Sequence, residues 1–164
     1  MAQARLRGGR HSGLTLIELL IVLLILGLIA GFALPVMLSH GVKSQRQAAT
    51  AALRAISRQE AAWFTGTHEY ASLSQLGYPV DSDNAAIYID GDGNVAASAS
   101  RDSSYRITVE RRLSDARSGT LPYFLATATP MNKQAGDSRC GALSLASTGQ
   151  IGATGSLGEV VCWQ

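Results

Sequence analysis

The apolar and polar positions of this chain change period three times. From Leu14 to Leu38 twenty-five residues are interrupted only by Thr15, Glu18, Gly27, Gly31 and Pro35. At 1.5 Å per residue such a run makes a helix of about 37 Å, enough for a bilayer core of about 30 Å. After Pro35 the composition turns polar and alanine-rich through 39–64. There Val42, Ala49, Leu53, Ile56 and Trp63 recur at steps of seven, four, three and seven, which is one stripe of a 3.6-residue period. Lys43, Arg46, Gln47, Arg54, Arg58 and Glu60 fall between the stripe positions. The expectation is one long helix, apolar all round in its first half and amphipathic in its second, stopping near Phe64 with Gly66 as its C-terminal break.

Beyond Thr65 the period becomes two. Residues 65–79 hold no sustained pattern and read as a structured loop that Leu73, Leu76 and Tyr78 tuck onto the core. Tyr105, Ile107 and Val109 alternate with Arg106, Thr108 and Glu110, a strand with one buried face. Tyr123 to Thr129 lies between Pro122 and Pro130, and Ala142 to Ser147 offers Leu143 and Leu145 inward. With the weaker Ile87-Tyr88-Ile89 these predict a three- or four-stranded antiparallel sheet, and hence an α+β class in which the amphipathic half-helix packs on that sheet.

Charge sharpens the first 38 residues. Arg5, Arg7 and Arg10 precede the apolar run without an acid beside them, and without them the chain carries 11 basic residues against 12 acidic ones. The arginines keep the start of the chain in the cytoplasm and send the remainder across the membrane. A secretory signal would end in an A-x-A-like site, which Ala30 to Leu34 lacks. The near-neutral remainder gives no bulk electrostatic footprint for nucleic acid. Glu18 is the anomaly of the run, because a carboxylate at membrane depth costs about 2–3 kcal/mol and calls for a partner. A new amine on Leu14, freed by cleavage after Gly13, would supply one about a helical turn away in the same chain or, more usefully, on a neighbouring chain.

Gly13-Leu14-Thr15-Leu16-Ile17-Glu18-Leu19-Leu20-Ile21-Val22 resembles the processing motif of type IV prepilins and pseudopilins. The resemblance implies that 1–13 is a basic leader removed by a prepilin peptidase, that Leu14 becomes the N-methylated terminus, and that Glu18 pairs with that terminus on an adjacent subunit. Leu14 stands where the family usually has phenylalanine or methionine. Gly27 and Pro35 fall where resembling pilins, packed in filaments, loosen the helix; glycine and proline both weaken it physically. The implied architecture is the type IV pilin fold. Segment 14–38 is its transmembrane and assembly helix, and 39–164 is a periplasmic head that includes the amphipathic helix 39–64.

Chemistry outside that motif is sparse. Asp90-Gly91-Asp92-Gly93-Asn94 has alternating oxygen ligands, but an EF-hand loop begun at Asp90 would need glutamate where Arg101 stands, so the segment reads as a hairpin turn. His11, His40 and His68 are scattered, and no serine lies in a G-x-S-x-G elbow. Neither a metal, a cofactor nor an enzyme activity is expected. Cys140 and Cys162 bracket a glycine-rich segment and, on an oxidising side of the membrane, read as one disulfide, the alternative being two free thiols. Ala128-Thr129-Pro130, Cys140 to Leu145, Thr148-Gly149 and Cys162-Trp163 resemble the C-terminal half of PilE-like minor pilins, whose two cysteines are joined; residues 65–104 carry no such resemblance. The implied function is that of a minor pilin assembled with other pilin subunits by inner-membrane pilus machinery. It would support pilus biogenesis, adhesion and twitching motility, with DNA uptake among the family's outcomes. A type II secretion pseudopilin and a monomeric signal-anchored binding module are the competing readings.

Overall fold

The computed structural model describes residues 15–82 and 85–164, with the side chains of 32–40 left out of the description. The chain divides after Leu38 into two units. Helix α1, Leu16–Thr67, supplies the first and enters the second. Its start is set by Thr15, whose hydroxyl oxygen accepts the Glu18 backbone N–H at 3.2 Å. That is the Ser/Thr side of a capping box, with an acid at the third helical position near the positive end of the dipole. No basic residue occupies the last turn. The helix passes straight through Gly66 and stops at His68, which adopts φ 57 and donates its N–H to the Phe64 carbonyl at 2.9 Å. The predicted stop at Gly66 is therefore displaced: the left-handed residue that ends the helix is a histidine.

In the second unit, the residues of α1 that are fully buried are Ala49, Leu53, Ile56 and Glu60, at steps of four, three and four. This corrects the sequence stripe at its far end, where Trp63 is only half-buried and Glu60, read as part of the polar side, occupies the stripe. Opposite lies an antiparallel sheet in the order β2-β1-β3-β4-β5-β6. Its members are β1 Ile87–Asp90, β2 Val95–Ala96, β3 Ser103–Arg112, β4 Tyr123–Pro130, β5 Leu143–Ala146 and β6 Ile151–Ala153. Four of these are the strands the alternation predicts. The other two are short edges: β2 has two exposed residues, and β6 has three residues around Gly152. Neither is long enough to show a period.

Alternation sends Ile87, Ile89, Tyr105, Ile107, Val109, Phe124, Ala126, Ala128, Leu143 and Leu145 into one core with Ala49, Leu53 and Ile56. Burying each leucine or isoleucine contributes about 1.5–3 kcal/mol. Leu73 joins this core, with Leu76 and Tyr78 packed against it, as the loop reading predicts. Aromatic contacts extend it: the Phe64 ring stacks on Tyr70 at 4.8 Å, and Tyr70 meets Phe124 edge-on at 4.8 Å.

The C-terminal segment is closed by a disulfide between Cys140 and Cys162, with Cα atoms 5.6 Å apart. Short helix α2, Gly158–Cys162, brings the second cysteine back. A Cβ on Gly155 would fall 2.3 Å from the Arg139 carbonyl carbon, so glycine is what allows the two backbones to meet there. Trp163 follows, buried, and donates its indole N–H to the Gly152 carbonyl at 3.0 Å. The Arg54 guanidinium lies 5.6 Å from that ring's centroid and donates to the Trp163 carbonyl at 3.3 Å, which fastens the chain end to α1.

Candidate functional site

The first candidate surface is the start of α1. Leu16, Ile17, Leu19 to Leu26, Leu28 and Ile29 are all exposed, between 47% and 78%. A contiguous apolar surface of this extent on a single chain marks an interaction site, with lipid or with protein. Among the described residues no helix is long and apolar enough to cross a membrane. The predicted span 14–38 reaches beyond them at Leu14 and beyond the described side chains at 32–38. Of the residues singled out by sequence, Gly13 and Leu14 lie outside the described residues. Glu18 is exposed in the first turn, with its backbone N–H held by Thr15. Gly27 has open space where a side chain would be, and Pro35 lies within continuous α1. The capping role of Thr15 escaped sequence reasoning, although the T-x-x-E spacing was legible.

The second candidate surface is on the head. Asp90-Gly91-Asp92-Gly93-Asn94 forms the turn between β1 and β2, with Ile89 opposite Val95. The Asp90 carboxylate accepts the backbone N–H groups of Asp92 and Asn94, each at 2.9 Å, and the Asn94 amide at 2.8 Å. The Asn94 amide and then its backbone N–H hold the Asp90 carboxyl below its ordinary value. An acid whose lone pairs are used in its own turn is a hairpin device, as its Asp-Gly steps predict. Among the described residues no three His, Cys, Asp or Glu side chains come together as a metal-ligand group.

The solvent face of the sheet is more open to chemistry. Tyr88, Arg106 and Thr129 stand opposite one another on β1, β3 and β4. Arg112 pairs with Tyr123 in register and sits 5.6 Å from its ring centroid. Arg106 and Arg112 are exposed. The near-zero bulk charge gave no sign of these cation and aromatic pairs, which share the exposed face of β3 with Glu110.

Two buried polar groups belong to the scaffold. The Glu60 carboxylate accepts the Ala71 N–H at 2.8 Å. Burial pushes its carboxyl above the ordinary range, opposed by that N–H and by Arg111. Arg46 donates twice to Asp137, at 2.6 and 3.2 Å, with side chains only 13% and 2% exposed.

An apolar helix bare along its first turns, continuing into a head of α-helix on antiparallel sheet with a C-terminal disulfide, defines the class of type IV pilins. Residues 9–34 match the prokaryotic N-terminal methylation motif, which implies membrane anchoring followed by assembly into a pilus. Residues 35–144 match the family described as type IV minor pilin ComP, DNA uptake sequence receptor. That match covers 110 of the 164 residues, and the chain belongs to this family of type IV minor pilins. It takes in residues 65–104, where sequence reading found no resemblance, and it stops short of Cys162-Trp163, on which that reading relied. The family consists of structural or receptor proteins. No curated protein matches the chain.

Proposed function

We propose that this chain is a minor subunit of the type IV pilus that joins the filament through its N-terminal helix and offers its head as a DNA receptor. The observation that carries the assembly reading is the exposed apolar run Leu16–Ile29, which a neighbouring helix would cover. On this reading a prepilin peptidase cuts between Gly13 and Leu14, and Leu14 is methylated. The subunit then waits in the inner membrane with its head in the periplasm. Glu18 pairs with the Leu14 amine of the next subunit as the pilus grows, and Gly27 and Pro35 let the helix loosen when packed. Adhesion and twitching motility follow from a working pilus. Mass spectrometry of the mature terminus is expected to find methylated Leu14, and Glu18→Ala is expected to remain in the membrane fraction instead of sheared pili. An intact Met1 or Ala2 terminus, or normal incorporation of Glu18→Ala, overturns it.

The receptor reading is favoured by the description of the matched family and by the cation and aromatic pairs on the exposed sheet face, Arg106 with Tyr88 and Arg112 with Tyr123. Arginines of this kind would contact phosphates, and tyrosines would contact sugar or base. Duplex binding by the full chain, read by anisotropy, is expected to weaken on Arg106→Ala and Arg112→Ala and to fall steeply with salt. Affinity unchanged by both substitutions would move the DNA surface elsewhere on the head.

A further inference from the structure

A groove of about 690 Å³ lies on the head where the start of its helical segment meets the C-terminal loop. Lys43 comes from α1, Lys133 from the 3₁₀ turn Asn132–Gly136, and Arg139 from the segment before Cys140. All three are exposed, and among the described residues none has an ion pair or a side-chain hydrogen bond. Arg46 is also present, but Asp137 neutralises it. Between these cations lie the apolar side chains of Val42, Leu157 and Val161, the last 49% exposed. Three unneutralised cations around an apolar floor make a surface suited to an anion that carries hydrocarbon.

Chain connectivity says where such a ligand would be met. Val42 follows Leu38, the last residue of the apolar run, by four residues, and four residues of chain reach at most about 14 Å. A chain anchored through its N-terminal motif therefore keeps this groove within reach of the headgroup layer for as long as the subunit is stored. The receptor surface proposed above lies on the solvent face of the sheet and includes none of these residues.

We propose that the groove docks the head onto anionic phospholipid headgroups of the anchoring membrane. Lys43, Lys133 and Arg139 would hold the phosphates, while Val42, Leu157 and Val161 would meet the interfacial region of the lipid. Each such cation near an anionic surface favours the docked head by roughly fivefold. Removing all three lowers the ratio of docked to free head by about a hundredfold. Docking of this kind is also a retention device, since the contacts must break when a subunit leaves the membrane for the filament.

The test places the full chain in nanodiscs of phosphatidylcholine alone or of phosphatidylcholine with phosphatidylglycerol, and follows hydrogen exchange at residues 133–142 and 157–163. Phosphatidylglycerol is expected to slow exchange in both segments, and 0.5 M salt should abolish the effect. Lys43→Gln/Lys133→Gln/Arg139→Gln should lose it while exchange in the β3 and β4 amides stays unchanged, because among the described residues these exposed side chains make no ion pair or hydrogen bond that holds the head together. Equal exchange in the two discs overturns the proposal, as does undiminished slowing in the triple variant. A short DNA duplex that slows these segments in discs without phosphatidylglycerol, where phosphatidylglycerol itself does not, would assign the groove to nucleic acid instead. A chain that elutes apart from both discs removes the anchoring on which the proposal stands, and overturns it too.

Discussion

The pair Arg46–Asp137 joins α1 to the segment that leads into the disulfide, and its removal is predicted to be strongly asymmetric. The Asp137 side chain is 98% covered, and among the described residues its carboxylate has, apart from Arg46, only the Cys140 N–H and the Gln134 amide, each at 3.4 Å. Arg46→Met keeps the apolar stem but strands the carboxylate, and breaking a buried pair from one side costs about 3–5 kcal/mol. Asp137→Asn keeps an acceptor for the Cys140 N–H. It leaves a guanidinium that is already 13% exposed and able to turn outward, so its cost is about 1–2 kcal/mol. In the double variant no charge is left stranded, and its stability should match Asp137→Asn more closely than Arg46→Met.

The double-mutant cycle on the full chain in detergent micelles, by urea unfolding with tryptophan fluorescence, should therefore give a coupling of about 2 kcal/mol or more. Coupling energies of contacting residues fall at about 0.5–3 kcal/mol. A value below about 0.5 kcal/mol would mean that water solvates Asp137 once Arg46 is gone, and would refute the claim that this ion pair fixes the C-terminal segment to the helix.

Two further outcomes concern the same scaffold. Cys140→Ala/Cys162→Ala opens a loop with a sequence separation of 22 and should cost about 3 kcal/mol in the chain-entropy model; a shift of the urea midpoint worth under 1 kcal/mol would show that Trp163 and α2 hold the loop closed without it. Glu60 carries its proton more readily when folded than when unfolded, because burial outweighs the Ala71 N–H and Arg111. Stability should therefore fall as pH rises from the ordinary value of 4.5 through the raised folded value, with the penalty fully present above it. Glu60→Gln, which keeps an acceptor for Ala71, should flatten that slope, and an unaltered slope would exclude Glu60 as its source.

Sequence periodicity carried the long elements because each has one buried face over enough residues for the pattern to repeat. Tyr105, Ile107 and Val109 announce β3, and Ala49, Leu53 and Ile56 announce the packed half of α1. What escaped was whatever depends on contacts between distant residues. Glu60 looks like surface in the sequence but is buried, its carboxylate accepting the N–H of Ala71 eleven positions on. Arg46 looks like one of several exposed cations, and only the fold shows that Asp137, ninety-one positions away, singles it out. Edges β2 and β6 are too short to display alternation, and His68 ends the helix with a residue that is only modestly enriched at positive φ. The processing motif, by contrast, is local and was complete in ten residues.

Helix α1 must satisfy two requirements that pull its sequence in opposite directions. Its first turns, 16–29, are apolar apart from Glu18 and Gly27, and their apolar side chains are exposed. From Ala49 onward it needs a single buried stripe, with polar groups elsewhere that hold the head. Within the head, α1 is held by contacts of its second half. These are the core residues Leu53 and Ile56, the Arg46–Asp137 pair, and Arg54 against Trp163. Two of those contacts grip the chain on either side of the disulfide, Asp137 just before Cys140 and Trp163 just after Cys162. The disulfide thus does more than close a glycine-rich loop: it covalently links the two places at which the C-terminal segment holds the helix.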